Sequence, residues 1–436
     1  MNQIKRIKKF LLTFFATTFM VTTLFYLPPT NEMYEYETGV SQGNVILSIL
    51  RNGLFFRAAH ESCQKRVVLF GIRQDWFSFC KHGAGARYRS LVKFPRVINC
   101  PLTECSVLLN HTKEPSEIKH YDAVVFTNVF HWLTPEMWNW VHGNRTRNQK
   151  WIMITQDSPL YITGLQPPQK YGNDTYDWSV TYKNDADFSH PYGFYERFDN
   201  GQVRDVNLKN FLNPKRGLLA WVASHCETLQ WDRLKFVKDL DKLIPVETYG
   251  KCGDEQLPWD RETLLFDVIR KYKFYLSLEN SCCDDYITEK FWRALKLGVV
   301  PVVVGAPLEH YIQKAPPNSF IHVDQFGSIS ELAIHLIELS GNDEKYLEYF
   351  KWRKEGKVVS VPQYEQYLRP IKDQTHCDIA ERLMNSHSRS YVRKKKMHYF
   401  GPTWAGSCHD CGAKSWVSAY MLPQNYSRKN NDVWAK

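Results

Sequence analysis

The second half of the chain alternates short apolar runs with amphipathic segments, and this alternation restricts the fold more than any other feature. Strand-like runs cover 218–223, 246–250, 272–278, 299–304 and 320–323, and helix-like segments cover 231–243, 288–297 and 329–338. Strands that are apolar on both faces and are joined by helices form parallel sheets covered on both sides. We therefore predict a doubly wound, Rossmann-like domain over residues 216–355.

The first half carries a weaker version of the same pattern. Its apolar runs lie at 66–70, 121–126 and 151–155, separated by mixed stretches. These runs predict a second Rossmann-like domain over residues 63–205, followed by a polar linker near 205–216. The predicted fold class is therefore α/β, with two Rossmann-like domains. The sequence contains neither a G-x-G-x-x-G motif nor a P-loop, so it has no motif that would support a nicotinamide-dependent enzyme or an ATPase.

The N-terminus carries a targeting signal, because residues 10–27 contain no charged side chain. A helix of this length spans about 27 Å, close to the hydrocarbon core of a thin bilayer. Basic residues precede the run and acidic residues follow it, so the positive-inside rule predicts a cytoplasmic tail at 1–9, a transmembrane helix at 10–27 and a lumenal stem at 28–62. A cleaved signal peptide is the alternative, but no small-x-small cleavage site follows the apolar run.

The cysteine content favours an oxidising compartment. The chain has 11 cysteines, an odd number that leaves at least one thiol free or paired with another chain. Cys100 and Cys105 are near enough in sequence to close a small loop, and Cys408 and Cys411 form a C-x-x-C that could be a local disulfide. A zinc site would need a second C-x-x-C, which the sequence lacks. N-glycosylation sequons, which agree with a lumenal location, begin at Asn110, Asn144, Asn173 and Asn425.

The net charge of +10 does not by itself indicate nucleic-acid binding. Part of the excess lies in two basic clusters, at 5–9 and 393–396. The sequence has no zinc-finger spacing and no basic run interleaved with aromatic residues. We therefore predict no nucleic-acid partner, whereas a basic pocket for an anionic ligand would need only a few of these charges.

The run 272–307 contains the residues best suited to bind such a ligand. A strand brings Glu279 and Asn280 to its carboxyl end, where α/β sheets usually bind ligands. Thr288 can cap the next helix, in which Glu289 can accept a hydroxyl of a sugar and Lys290 can neutralise a phosphate beside the helix N-terminus. An isolated Glu-Lys pair is more often a pair of solvated helix charges, so these two residues alone do not decide the function.

The whole run does decide the function, and its sequence is YKFYLSLENSCCDDYITEKFWRALKLGVVPVVVGAP. It closely resembles the donor-binding signature of the α1,3/4-fucosyltransferase family, E-N-S-x-x-x-D-Y-I-T-E-K-F-W followed by G-x-V-P-V-V-x-G-x-P. The segments 221–226, 246–250 and 178–193 are also similar to segments of that family, although His225 stands where Asn is usual. The resemblance covers roughly 63–355, and residues 356–436 match poorly and are treated as a C-terminal tail.

The resemblance implies a glycosyltransferase of the GT-B type, in which two Rossmann-like domains face each other across a cleft. It implies transfer of L-fucose from GDP-fucose to a GlcNAc-containing glycan, with inversion, on the lumenal side of the Golgi membrane. The family needs no metal or other cofactor for the chemistry, and a divalent cation could at most stimulate. Asp185-Ala186-Asp187 has the spelling of a metal motif but lies within an acceptor-side segment of the family. The acceptor itself and the oligomeric state are left open.

Residue by residue, the resemblance assigns Arg233 and Lys290 to the diphosphate. It assigns the fucose, ribose and guanine-side groups to Tyr249, Asn280, Tyr286 and Glu289, and the acceptor side to Trp178, Tyr182 and Asp185. Cys226 ends one of the family-like segments and Cys252 follows another, 246–250, and we predict a disulfide between these two cysteines beneath the donor site.

Asp157 is the predicted catalytic base, because inversion needs a carboxylate that takes the proton from the attacking hydroxyl. It departs from the family, which has Glu here, and a misplacement of about 1 Å could cost on the order of a hundredfold in rate. The alternative role for Asp157 is an N-cap or Asx-turn before Ser158-Pro159. The departures at Asp157 and His225 also support a second hypothesis, a catalytically silent, membrane-tethered binder of glycans or nucleotide sugars.

Overall fold

The structure is a computed structural model. It describes residues 63–71, 94–101, 103, 105–127, 133–162, 164–172, 175–226, 230–257, 262–360, 373–385, 398–412 and 415–422. The predicted cytoplasmic tail, membrane anchor and stem lie outside these residues. Among the described residues, no helix is long and apolar enough to cross a membrane.

The first half is built on a seven-stranded sheet with the strand order β2-β3-β1-β4-β5-β6-β7. The strands are β1 (Gln64–Phe70), β2 (Arg96–Asn99), β3 (Ser106–Thr112), β4 (Ala123–Phe126), β5 (Lys150–Ile154), β6 (Trp178–Thr181) and β7 (Phe188–Ser189). All pairs are parallel except β2 with β3. Helix α1 (Pro135–Gly143) lies between β4 and β5 in the chain, as a crossover between parallel strands requires.

The second half is built on a five-stranded, fully parallel sheet with the order β10-β9-β11-β12-β13. Its strands are β9 (Gly217–Val222), β10 (Val246–Tyr249), β11 (Tyr272–Leu278), β12 (Val300–Val304) and β13 (Ile321–His322). Its helices are α2 (Arg233–Asp241), α3 (Glu262–Ile269), α4 (Glu289–Lys296), α5 (Leu308–Lys314), α6 (Ile329–Ser340) and α7 (Asp343–Glu348). The predicted strand–helix alternation is therefore present in this half.

Both faces of each sheet are buried, which explains why the strands have nearly continuous apolar sequences. On β11, Phe274 and Leu276 pack into the core that contains Phe236 of α2, whereas Tyr275 packs into the core that contains Ala294 of α4. The two halves also share side chains, because Phe126 and Trp151 of the first half belong to the same buried cluster as Phe291 and Trp292 of the second. The described residues belong to one unit, Ala59–Lys436.

The segment after residue 355, predicted to be a tail, is folded onto both halves wherever the structure describes it. Strand β14 (Gly356–Ser360) pairs antiparallel with β8 (Gly193–Arg197). Helix α8 (Asp373–Asn385) packs Ile379 and Leu383 against the first sheet. The physical reason is that a parallel sheet needs cover on both faces, and this helix covers the face opposite the core that the two halves share.

Five disulfides connect described cysteines, and they correct two predicted pairings. The predicted bond between Cys226 and Cys252 is present. The bond predicted between Cys100 and Cys105 is wrong, because Cys105 pairs with Cys63 and Cys100 pairs with Cys377 on α8. The first bond joins the starts of β1 and β3, and the second joins the end of β2 to α8.

The local bond predicted between Cys408 and Cys411 is also wrong, since these residues pair with Cys283 and Cys282 respectively. The reason is the alternation of side chains along an extended chain. Cys282 points into the core that contains Cys411, and Cys283 points into the other core, beside which Cys408 packs. Each cysteine of the C-x-x-C therefore meets a different one of the adjacent pair.

Candidate functional site

A fully buried carboxylate, Glu279, organises the carboxyl edge of the second sheet directly after β11. Its side chain is 0% exposed. It accepts hydrogen bonds from the Thr288 amide at 2.8 Å, from the Thr288 hydroxyl at 2.8 Å and from the Lys290 ammonium at 3.0 Å. The hydroxyl of Thr288 is therefore engaged by Glu279 rather than by the amides of α4, and the cap predicted for it forms no side-chain hydrogen bond.

Lys290 lies on the first turn of α4, between two carboxylates. Its ammonium also contacts the hydroxyl of Thr288 at 2.9 Å and a carboxylate oxygen of Glu289 at 3.5 Å. Burial alone would lower the pKa of Lys290, but the charges of Glu279 and Glu289 raise it above its usual value. Lys290 thus stays protonated, and its side chain is still 22% exposed. The result is a fixed positive charge at the surface of the site.

Arg233 brings a second cation to the same edge from the first position of α2. Its guanidinium donates to the carbonyl of His225, after β9, at 2.7 Å and to the carbonyl of Leu278, at the end of β11, at 3.4 Å. Burial lowers the pKa of Arg233, and the charge of Glu279 opposes the shift. Arg233 and Lys290 also repel each other, since the charge of Arg233 lowers the pKa of Lys290. The two predicted cations therefore lie in one cluster around Glu279.

Asp157 approaches this cluster from the first half, just beyond the carboxyl end of β5. Its backbone amide donates to the hydroxyl of Thr155 at 3.0 Å. Burial raises the pKa of the Tyr286 hydroxyl, and the charges of Asp157 and Glu279 raise it further. Tyr286 is thus within electrostatic reach of both carboxylates, and it links the candidate base to the cation cluster.

Direct contacts hold the two halves together beside these residues. The hydroxyl of Ser281 donates to the hydroxyl of Ser158 at 2.6 Å, so the residues that follow Asn280 and Asp157 touch. The amide of Asn184 donates to the carboxylate of Asp285 at 3.1 Å. Asp285 is further held by Lys314 at 3.2 Å. The site therefore forms where the carboxyl edges of both sheets meet.

Most of the predicted donor-side residues lie at this edge. Asn280 is partly buried and accepts a hydrogen bond from Ser281 at 3.0 Å. Glu289 is 13% exposed, and although burial opposes the shift, the charges of Lys290 and Arg293 lower its pKa. Glu289 is therefore an ionised acceptor beside Lys290.

Tyr249 is an exception, because its side chain is directed away from the site. Its hydroxyl contacts that of Tyr272 at 2.5 Å and donates to Glu247 at 3.2 Å. Tyr272 is the first residue of β11, whereas Glu279 follows the last. The side chain of Tyr249 therefore extends toward the amino end of the sheet and does not join the cluster around Glu279. Its contact with the donor stays a prediction.

The three predicted acceptor-side residues have different environments. Trp178 is packed beneath α8, with the guanidinium of Arg382 4.9 Å from its ring, so the structure does not bring it to the cluster around Glu279 and its acceptor-side role stays a prediction. Tyr182 lies at the site, with its ring 4.9 Å from that of Tyr286. Its hydroxyl is buried and has no hydrogen-bond partner among the described residues. Asp185 is 53% exposed and lies 3.8 Å from Lys183.

The carboxylates of Asp185 and Asp187 have separate partners. Asp187 pairs with Arg382 at 2.7 Å and accepts from the amide of Ser179 at 2.9 Å. The two carboxylates of the D-A-D motif therefore do not form a shared pair of metal ligands.

Two predicted sequons lie among the described residues. Asn144 follows α1, is half-buried like Asn110, and donates its amide to the carbonyl of Trp140 at 2.9 Å. Asn110 lies inside β3, and its amide donates to the hydroxyl of Tyr121 at 2.9 Å in a partly buried one. Asn173 and Asn425 lie outside the described residues.

Sequence reasoning placed Glu279 at the ligand-binding edge but assigned it no role in the predicted site. Its signal was its place directly before Asn280 at the end of an apolar strand, where a carboxylate is rarely buried unless it has a partner. The partner, Lys290, is 11 residues away, and only the folded chain brings the two together.

Comparison with known proteins identifies the family. Residues 212–398 match the model of glycosyltransferase family 10 (fucosyltransferase), C-terminal part, and residues 74–193 match the fucosyltransferase N-terminal model. The 4-galactosyl-N-acetylglucosaminide 3-alpha-L-fucosyltransferase 9 of Mus musculus is 31% identical over 79% of this chain and 86% of its own length. The chain belongs to the α1,3/4-fucosyltransferase family.

Other relatives of this fucosyltransferase match over a shorter region. Alpha-(1,3)-fucosyltransferase 4 of Bos taurus is 38% identical over 50% of this chain. The chain spans about half of that relative, 53% of its length. A solved α1,3-fucosyltransferase described with GDP-fucose aligns over 77% of this chain and 94% of its own, with 16% identity and a TM-score of 0.45. The C-terminal family match extends past residue 355, into the segment that was predicted to be a tail.

Proposed function

We propose that this fucosyltransferase moves L-fucose from GDP-fucose onto a GlcNAc-containing glycan of a glycoprotein or glycolipid, in α1,3 linkage and with inversion. The observation that carries the proposal is the pair of cations, Arg233 and Lys290, gathered around Glu279 at the carboxyl edge of the second sheet. A diphosphate is the part of a sugar nucleotide that such a pair would bind. The name of the mouse relative, which acts on a 4-galactosyl-N-acetylglucosaminide, supports the acceptor class.

In this proposal the two cations bind the diphosphate in different ways. The guanidinium of Arg233 is planar and already fixed by two carbonyls, so its remaining N–H groups can present a directed fork. The ammonium of Lys290 acts as a point charge beside the start of α4. Asn280, Tyr286 and Glu289 would contact the sugar and ribose hydroxyls. As the bond between fucose and the diphosphate breaks, both cations stabilise the negative charge on GDP.

Asp157 is the proposed general base. Its carboxylate takes the proton of the acceptor hydroxyl while that oxygen attacks the anomeric carbon, and GDP leaves from the opposite face. The charge of Asp157 reaches Tyr182 and Tyr286, which supports a position at the cleft. The hydroxyl of Tyr182 would hydrogen-bond a substrate hydroxyl. No metal is needed for these steps.

The setting that we propose is the Golgi membrane, with a single-pass type II topology and a lumenal catalytic part. The uncharged run at 10–27 with its basic flank, the sequons and the five disulfides support this setting.

The test is GDP-fucose turnover by the full-length chain in detergent, measured on a panel of glycan acceptors with NMR analysis of the product linkage. We expect Lys290→Ala and Asp157→Asn to lose turnover, with GDP binding lost only in Lys290→Ala. Lys273→Ala is a matched control, because Lys273 is also a lysine of the second half but pairs with Asp343 away from the site. Full turnover in Lys290→Ala would refute the assignment. Tight GDP-fucose binding by the wild type without transfer to any acceptor would favour the silent binder instead.

A further inference from the structure

The position of Glu279 indicates a role other than that of a structural salt bridge. Its carboxylate is sealed from solvent, and all of its described hydrogen bonds go to Thr288 and Lys290, at the start of α4. Buried ion pairs are seldom more stabilising than apolar residues of similar size, because both charges lose their hydration. A fully buried carboxylate at this position therefore points to a role beyond stability.

We propose that Glu279 is a positioning residue for donor binding: its buried carboxylate fixes the ammonium of Lys290 at the mouth of the site and ties it to the start of α4. This inference rests on the proposed function, because it assumes that Lys290 binds the donor diphosphate. Glu279 itself is sealed behind Lys290 and acts through it.

The exposure of the two partners supports this assignment. Glu279 is 0% exposed and Lys290 is 22% exposed, so the pair presents its positive end outward. A lysine side chain carries about 2 kcal/mol of rotamer entropy, which a binding event would otherwise have to remove. Contacts at 3.0 Å with Glu279 and 2.9 Å with Thr288 remove much of that freedom before the donor arrives. The charge is thus preorganised.

The charges around Lys290 indicate a second role for Glu279, which is to keep Lys290 protonated. Four groups face Lys290. Tyr275 lies on β11 and Glu279 directly follows that strand, whereas Glu289 lies on the same helix as Lys290 and Arg233 lies on α2. Arg233 repels Lys290, and burial disfavours the charge on both. Glu279 and Glu289 offset these effects, so both cations can keep their charge in one cluster. Without the charge of Glu279, Lys290 would lose its proton more readily as the pH rises.

Gly305, which directly follows β12, supports the same conclusion independently. A Cβ at this position would lie 2.8 Å from the Cγ of Glu279 and 3.0 Å from the hydroxyl of Tyr311. The glycine therefore leaves the space in which the Glu279 side chain turns toward Lys290.

The experiment compares Glu279→Gln, Glu279→Asp and wild type, as full-length chains in detergent, by calorimetric titration with GDP at pH 7 and pH 9. We expect wild-type affinity to change little between these pH values. Glu279→Gln should bind about tenfold more weakly at pH 7, as expected for loss of one charge-assisted hydrogen bond, and weaker still at pH 9. Glu279→Asp keeps the charge but shortens the reach, so its affinity should fall without a new pH dependence.

The control is Glu247→Gln. Glu247 lies on β10 and, although exposed, also accepts hydrogen bonds, from Tyr249 and Tyr272, at the opposite end of the second sheet from the site. We expect this variant to bind GDP as wild type does at both pH values.

Each outcome has a distinct meaning. If wild type binds no GDP, the proposed function fails and this inference falls with it. If wild type binds but Glu279→Gln has wild-type affinity, or an equal loss at both pH values, the positioning role is overturned and Glu279 is structural at most. Should Glu279→Gln fail to fold, Glu279→Asp decides, and wild-type affinity in that variant overturns the proposal.

Discussion

Replacing Arg233 with lysine tests whether the guanidinium fork is needed. The guanidinium bridges the carbonyls of His225 and Leu278, and Arg233 is only 8% exposed. A lysine has one ammonium and no planar fork, so it cannot keep both carbonyls and also present a directed pair of donors. Loss of one hydrogen bond to a charged group costs about 1.5–3 kcal/mol. We therefore expect GDP affinity to fall by about 10- to 100-fold in Arg233→Lys.

The assay is calorimetric titration of GDP into the full-length chain, with a thermal melt of each variant. Arg382→Lys is the matched control, since Arg382 also forms a partly buried contact, with Asp187 at 2.7 Å, but lies beneath the first sheet beside Trp178. We expect this control to melt at a lower temperature and to bind GDP normally. The reasoning about the fork is refuted if Arg233→Lys binds GDP within threefold of wild type.

Three further predictions concern the rest of the molecule. The double variant Cys282→Ser, Cys411→Ser should lower the free energy of unfolding by only about 2 kcal/mol in urea titration, because the adjacent Cys283–Cys408 bond remains and already closes nearly the same loop, with a sequence separation of 125 against 129; an unchanged midpoint would argue against this pairing. Burial lowers the pKa of Lys215 from 10.5 to about 7, so the unfolded chain binds the extra proton and this residue should make stability rise from pH 7 to 10.5, by up to about 1.4 kcal/mol per pH unit. Denaturation of Lys215→Met should show that rise removed, and a rise equal to that of wild type would contradict the assignment. Peptide mass mapping should find a glycan at Asn144, which lies just after the end of α1, and not at Asn110, whose amide is held inside a strand; the reverse occupancy would count against these environments.

The sequence predicted the second half well because its strands are strongly apolar. The predicted run 272–278 coincides with β11, and the helix predicted at 288–297 is observed as α4 over Glu289–Lys296. Strand β3 was missed because only three of its residues, 107–109, are apolar, and polar residues from Asn110 onward make up the rest of its second half. The fold of the C-terminal segment was missed because its partners are distant, as with Cys377 and Cys100, which are 277 residues apart in sequence. Local patterns carry no information about such contacts.

For the site, the sequence predicted residue identity better than side-chain direction. Arg233 and Lys290 lie together because both follow strands whose carboxyl ends meet at one edge. Tyr249 comes from a neighbouring strand of that sheet, yet its side chain extends toward Tyr272 at the other end. That choice depends on packing between strands, which a single sequence does not reveal. The role of Glu279 depends on a partner across a loop and was hidden for the same reason.

The central claim is that Arg233 and Lys290 together bind the diphosphate of a sugar nucleotide. It is tested most directly by titrating GDP and guanosine separately into the full-length chain. Two charge-assisted contacts to phosphate predict that GDP binds at least about 100-fold more tightly than guanosine, and that an Arg233→Ala, Lys290→Ala variant loses this difference. Equal affinities for the two ligands, or an undiminished preference for GDP in the double variant, would contradict the claim.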